Sequence, residues 1–216
     1  MAASLERGLY VITDCVRLDY GQVLARTRTM LQAGVAAVQY RDKNPDRDTR
    51  LDMAARLHEL CAAFDTPLII NDDVETALAA GAEGAHLGRE DAGLPAARKR
   101  LGTAALIGIS CYNEFDRATA AAAAGADYVA FGAMFPTTTK DTTVPATPEL
   151  IAQAKTALTV PVAAIGGITP ENCRPLVDAG ADLLAVISSV YLAEDPAAVV
   201  GRFNEIIFGG EVNSEW

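Results

Sequence analysis

Several short apolar runs in this chain end in side chains suited to holding anionic oxygen. Gln39, Arg41 and Lys43 follow one such run at intervals of two, so a continuing extended backbone would aim all three to one side. A planar guanidinium fork beside a lysine point charge matches a pyrophosphate. The stretch DKNPDRD that follows is hydrophilic turn sequence, and a plain surface loop is the competing reading. Asn71, Asp72 and Asp73 come directly after PLII, and the next run leads through HLGRED to Asp91. If these two runs are neighbouring parallel strands, Asp72 and Asp91 lie on adjacent loops within reach of one Mg²⁺. Hard carboxylate oxygens suit that ion when it bridges a substrate diphosphate. The alternative makes Asp72 a helix N-cap, with Glu75 completing a capping box, and Asp91 another N-cap. Capping accounts for one acid per helix, but not for Asn71 and Asp72 abutting PLII with Asp91 next door.

Further along, Ser110 ends a strand-like run and offers a hydroxyl to a phosphate oxygen, or simply caps the strand. Thr137, Thr138, Thr139 and Lys140 place three hydroxyls and a cation on one loop, either an anion cradle with a mobile lid or a surface turn. Gly166 and Gly167 close one later run, with Thr169 just beyond it, and Ile187, Ser188 and Ser189 close the next. Glycine admits close approach of a phosphate to the backbone. His86 reads as a satisfied interior side chain rather than a catalytic base, and His58 as helix surface or packing. The sequence offers no obvious Ser-His-Asp or Cys-His arrangement and no histidine cluster for zinc. What it offers is two anion sites, with electrostatic stabilisation of a leaving group supplying the rate.

These groups need a scaffold that gathers strand ends. Apolar runs at 8–14, 36–41, 67–72, 84–88, 106–111, 128–132, 161–167 and 183–189 alternate with Ala-rich amphipathic stretches such as 47–64 and 113–125. That is the pattern of repeated βα units on a parallel sheet. In 47–64, Leu51, Ala54, Ala55, Leu57, His58 and Cys61 fall at helical spacing. A weak repeat, QAGVAAV, AAGAEGAHL, AAGADYVAF and DAGADLLAV, puts Gly34, Gly81, Gly125 and Gly180 where a helix end needs positive φ. Eight uniform units, with no G-x-G-x-x-G after the first, predict a (β/α)₈ TIM barrel rather than an open doubly wound sheet. The expected organisation is a single domain over 1–216, with its core at about 8–208 and a short frayed C-terminal tail. In such a barrel the chemistry sits at the C-terminal strand ends, and the loops after strands seven and eight bind phosphate.

Composition narrows the partners. A net charge of −10 excludes the basic stripe that nucleic acid needs. No apolar run reaches a membrane-spanning length, and the first residues lack a signal-peptide pattern. Four scattered cysteines read as reduced thiols, so a cytoplasmic protein acting on phosphorylated small molecules is expected. The number of copies is open, and a homo-oligomer is compatible with the sequence.

Taken in order, VQYRDK, NDD, GAHLGRED, GIS, PTTTKD, AIGGI and VISS resemble the thiamine-phosphate synthase (thiamine-phosphate pyrophosphorylase) family over nearly the whole chain. The resemblance implies a transferase that couples hydroxymethylpyrimidine diphosphate to thiazole phosphate, through loss of pyrophosphate and a pyrimidine-methyl cation. It implies pyrimidine diphosphate contacts at Gln39, Tyr40, Arg41, Asp42, Lys43, Asn71, Ser110 and Lys140, with Arg41, Lys43, Ser110 and Lys140 catalytic. It implies Mg²⁺ at Asp72 and Asp91, and thiazole phosphate at Thr137, Thr138, Thr139, Gly167, Ile187 and Ser188. One departure stands out. Many members carry His two residues after the strand-five serine, where this chain has Tyr112. A thiazole tautomerase is a near relative, and a non-catalytic phosphate-binding barrel is a further alternative. Tautomerisation would want a base at that position, so Tyr112 favours the synthase.

Overall fold

The computed structural model describes residues 5–89, 93–136 and 145–209. Eight strands run β1 Gly8–Ile12, β2 Ala37–Tyr40, β3 Leu68–Asn71, β4 Gly84–Leu87, β5 Leu106–Tyr112, β6 Tyr128–Gly132, β7 Val162–Ile165 and β8 Leu183–Val186. Each pairs in parallel with its sequence neighbours, and β1 pairs with β8, so the sheet closes into the expected barrel. Around it lie α1 Tyr20–Gln32, α2 Arg47–Ala62, α3 Val74–Ala80, α4 Leu94–Leu101, α5 Phe115–Ala123, α6 Pro148–Ala157, α7 Arg174–Asp178, α8 Ser188–Tyr191 and α9 Pro196–Ile207. The C-terminal tail beyond Gly209 lies outside the described residues.

The apolar runs look uniform in sequence because both strand faces are buried. The period of two appears in three dimensions. On β1, Tyr10 and Ile12 pack in the lumen while Leu9 and Val11 meet the helices. On β6, Tyr128 and Ala130 turn inward and Val129 and Phe131 outward. The helix of 47–64 is present, but its buried stripe is Met53, Ala54, Leu57, Leu60 and Cys61, and Ala55 and His58 lie at its margin. Gly34, Gly81, Gly125 and Gly180 all take positive φ at helix ends, as the repeat predicts.

That repeat also builds the lower rim. Glu83, Asp127 and Asp182 each precede an even-numbered strand, and each accepts the backbone N–H of the strand before it: Leu68 at 2.8 Å, Ile107 at 2.7 Å and Val162 at 2.7 Å. Each carboxylate also meets a side chain of the preceding helix layer: His58, Arg98 and Lys155 in turn. A charged acceptor on an amide at the foot of a strand is stronger than a neutral one, and here each is doubled by an ion pair or a histidine contact.

One expectation and one of the alternatives are corrected. The eighth run does not stay extended through 189: β8 stops at Val186, and Ser188 opens the helical turn α8. Nor is Asp72 the cap of α3. That role belongs to Asp73, whose carboxylate accepts from the Thr76 N–H at 2.9 Å and the Thr76 hydroxyl at 2.7 Å. Glu75 pairs with Arg100 across to α4 instead of closing a capping box.

Candidate active site

The strand C-termini surround a cavity of about 500 Å³ that reaches down into the lumen. A second hollow of about 180 Å³ lies beside it over β2 and β3. Arg41 and Asn71 line both, so the two spaces meet at these side chains.

The β2 end is held by its neighbours. The Thr13 hydroxyl, at the end of β1, accepts the Arg41 N–H at 2.8 Å and donates to the Arg41 carbonyl at 3.1 Å. β2 ends at Tyr40, so extended alternation does not carry Gln39, Arg41 and Lys43 to one common surface. Gln39 is buried in the lumen, Arg41 stands where the cavities join, and Lys43 lies exposed beside the smaller one. Between them, the Asp42 carboxylate accepts from the Tyr40 hydroxyl at 2.9 Å, from the Tyr20 hydroxyl, and from the Asn44 N–H at 2.9 Å. Tyr40 and Asp42 thus brace the loop that displays the two cations. Burial, followed by the Asp42 contact, raises the Tyr40 phenol well above its ordinary value and keeps it a donor.

Asp72 is exposed at the smaller hollow with φ +65°, a conformation that turns its carboxylate off the strand line. Its N–H donates to the His86 carbonyl at 2.8 Å, and the Asn71 amide donates to its carboxylate at 2.6 Å. With Asp73 doing the capping, Asp72 stands at the mouth of the smaller hollow, which Arg41 and Lys43 also line. Among the described residues no group of three or more His, Cys, Asp or Glu side chains could form a metal site. The second expected ligand, Asp91, lies outside the described residues, as do Thr137, Thr138, Thr139 and Lys140.

Ser110 and Tyr112 are placed by an irregularity. The β5–β6 register slips between them, and Tyr112 takes φ +55°. Both reach the larger cavity. The Tyr112 ring has the Arg89 guanidinium 5.0 Å from its centre and that of Arg117 at 5.9 Å. Arg117 is itself fixed by donating to the Ser110 carbonyl at 2.7 Å. The residue that replaces the expected histidine is therefore an aromatic surface sitting among cations.

The opposite wall is mostly backbone. Ala130, Gly132, Ala133, Ala163 and Ala185 line the cavity there, with Gly166 and Gly167 above them. A Cβ on Gly167, at φ +62°, would come within 2.5 Å of the Pro136 carbonyl oxygen. The glycine is thus demanded by the contact of the β6 and β7 loops, and the wall gains its smoothness from that contact. Ile187 and Ser188 join the wall from β8 and α8, and the neighbouring Ser189 hydroxyl is buried with no hydrogen-bond partner among the described residues.

Sequence reasoning missed Thr13, Tyr10 and Tyr128, and undervalued His86. All four lie on inward strand positions or strand ends, and their type alone carries no signal. His86 is buried as expected, yet it lines the cavity and touches Ser110. Among the described residues no helix is long and apolar enough to cross a membrane.

A family model described as Thiamine monophosphate synthase matches residues 9–190. The chain is 54% identical over 190 residues to a thiamine-phosphate synthase of Azoarcus sp. strain BH72, covering 88% of this chain and 92% of that protein. A thiamine-phosphate synthase of Xanthomonas campestris pv. campestris is 54% identical over 197 residues, covering 91% and 94%. In three dimensions, thiamine phosphate pyrophosphorylase from Pyrococcus furiosus superposes with a TM-score of 0.85 at 31% identity, covering 96% of this chain and 98% of that one. The chain belongs to the thiamine monophosphate synthase family.

Proposed function

We propose that this enzyme joins hydroxymethylpyrimidine diphosphate to thiazole phosphate, releasing pyrophosphate, and that the two cavities divide the work. The observation that carries this reading is their meeting at Arg41 and Asn71, where a charged hollow opens onto a largely apolar lumen. Arg41 and Lys43 bind the diphosphate of the first substrate. Its ring enters the lumen over Gln39 and Ser110. The thiazole phosphate lies against Gly167, Ile187 and Ser188, with Thr137, Thr138, Thr139 and Lys140 contributing from their loop.

The reaction is dissociative. The bond between the pyrimidine methylene carbon and the diphosphate oxygen breaks, and its electron pair leaves with pyrophosphate. The thiazole nitrogen then gives its lone pair to the resulting cation, forming the new C–N bond. No proton need move, which fits a site whose aromatic and hydroxyl groups outnumber bases. Arg41 and Lys43 stabilise charge as it collects on the departing oxygens. Asp72 and Asp91 would supply the hard oxygen donors that hold Mg²⁺. When bound, that ion neutralises the leaving diphosphate. The four cysteines are free thiols, three of them buried, which supports a cytoplasmic setting.

The test mixes purified protein with both substrates, with and without Mg²⁺, and follows pyrophosphate and thiamine phosphate together. Mg²⁺-dependent formation of both, lost in Asp72→Ala and Asp91→Ala, is the expected result. Tight thiazole phosphate binding without turnover would instead mark a tautomerase or a binding barrel.

A further inference from the structure

A chain of hydrogen bonds crosses the lumen beneath the proposed substrate positions. Gln39 Nε2 donates to the Tyr10 hydroxyl at 2.8 Å. The Tyr10 and Tyr128 hydroxyls are 2.9 Å apart. Tyr128 meets His86 Nδ1 at 2.9 Å, and His86 Nε2 meets Ser110 Oγ at 2.9 Å. Five residues on five strands thus connect two groups assigned to the substrate, Gln39 and Ser110. The rings are set for it: Tyr10 and Tyr128 meet edge-on at 78°, and the His86 ring is tilted 31° to that of Tyr128 with centres 5.5 Å apart. Room for the Tyr128 phenol exists because residue 108 is glycine. A Cβ there would lie 2.0 Å from its Cζ and 2.4 Å from its hydroxyl oxygen.

We propose that Tyr10, Tyr128 and His86 form a one-way relay that orients the Ser110 hydroxyl, which makes them positioning residues for the reaction. The direction follows from counting protons. Each phenol has one, and both phenols are fully buried. Burial raises both pKa values well above the ordinary range, so the protons stay on. Tyr10 already accepts from Gln39, so its proton goes to Tyr128, and Tyr128 gives its own to His86 Nδ1. The imidazole then carries its proton on Nε2 and donates it to Ser110 Oγ. Ser110, its oxygen engaged, keeps its hydroxyl proton for an anionic substrate oxygen. The reverse direction would send Tyr128's proton into Tyr10 and leave Tyr10's proton without a partner among the described residues, at the cost of an unmade hydrogen bond.

The consequence for Ser110 rests on the reaction proposed above, whereas the relay's direction is measurable without substrate. The chain has two histidines, so long-range ¹H–¹⁵N correlation spectra of labelled protein, with a His58→Gln variant for assignment, read the His86 tautomer directly. The Nε2–H form is expected in the wild type, and Tyr10→Phe should erode that preference. An Nδ1–H tautomer, or a wild-type preference untouched by Tyr10→Phe, would overturn the relay. Kinetics give the second arm. Tyr128→Phe should lower kcat about tenfold with KM within about twofold. His86→Gln, which keeps a donor towards Ser110, should stay within about tenfold of wild type while His86→Leu loses about a hundredfold. Equal losses in the two histidine variants would reduce His86 to packing. A wild type inert towards both substrates would refute the reaction and leave the tautomer result standing.

Discussion

The two rims of the barrel use charge in opposite ways. At the lower rim, Glu83, Asp127 and Asp182 are each bound twice, to an amide at the foot of a strand and to a side chain of the helix layer. At the upper rim, Arg41 and Lys43 have no ion-pair partner among the described residues, and what surrounds them fixes their backbone rather than their charge. Charge satisfied inside the fold stabilises it. Charge held in place but unsatisfied is available to a ligand. The feet of β3 to β8 therefore carry stability, while the upper end of β2 presents charge to a ligand.

The sharpest way to break this contrast is at Arg41. Arg41→Ala should lower kcat/KM by about a thousandfold, while urea denaturation detects a stability change of no more than about 0.5 kcal/mol. A comparable loss of stability would show that Arg41 belongs to the framework. Next comes Gly108→Ala, which puts a methyl group where the Tyr128 ring lies. A fall in kcat of about a hundredfold together with about 2 kcal/mol of stability is expected, because this position sits where core and site coincide. Retention of full activity would mean that the lumen absorbs the methyl without disturbing Ser110.

At the lower rim the signature should invert. Asp127→Ala strands the Ile107 amide and removes the ion pair of Arg98, which keeps its backbone carbonyl partners, so about 2 kcal/mol of stability should go while kcat of the folded fraction holds within about twofold. Back at the upper rim, where a carboxylate serves the fold instead of a ligand, Asp73→Ala should cost about 1 kcal/mol at neutral pH through loss of the α3 cap. Burial pushes the Asp73 carboxyl up, but hydrogen bonds from Thr76 and Arg50 outweigh it and the net shift is downward. A folded pKa below the unfolded one makes this stabilisation complete above the ordinary carboxylate range and lost as pH falls through the lowered value. The difference between wild type and Asp73→Ala should therefore shrink below about pH 4, which acid titrations at fixed urea would follow.

How much of this was legible beforehand depended on the distance between partners. Strands, helix-ending glycines and strand-end polar groups declare themselves through neighbours in sequence, and the barrel follows from their order. The relay could not be read in this way, since Tyr10, Gln39, His86, Ser110 and Tyr128 touch only after closure, and Gly108 looks like any strand glycine. That the cap of α3 falls on Asp73 rather than Asp72 turned on one residue of backbone at positive φ, which two adjacent aspartates cannot reveal. Ser188 was misplaced on a strand because an apolar run followed by serines reads the same whether it continues extended or turns into a helix.

The carboxylate clasps recur before β4, β6 and β8, at a step of two strands, and the matching place before β2 is held by Ala36. There the Ala36 methyl fills the space that a Gly8 side chain would need. The molecule is thus a ring of four like pieces, three fastened by charge and one by close fit. Such a ring has a built-in origin: the unclasped quarter contains the chain's first strand and the seam with its last, so the circle is joined where its ends already meet.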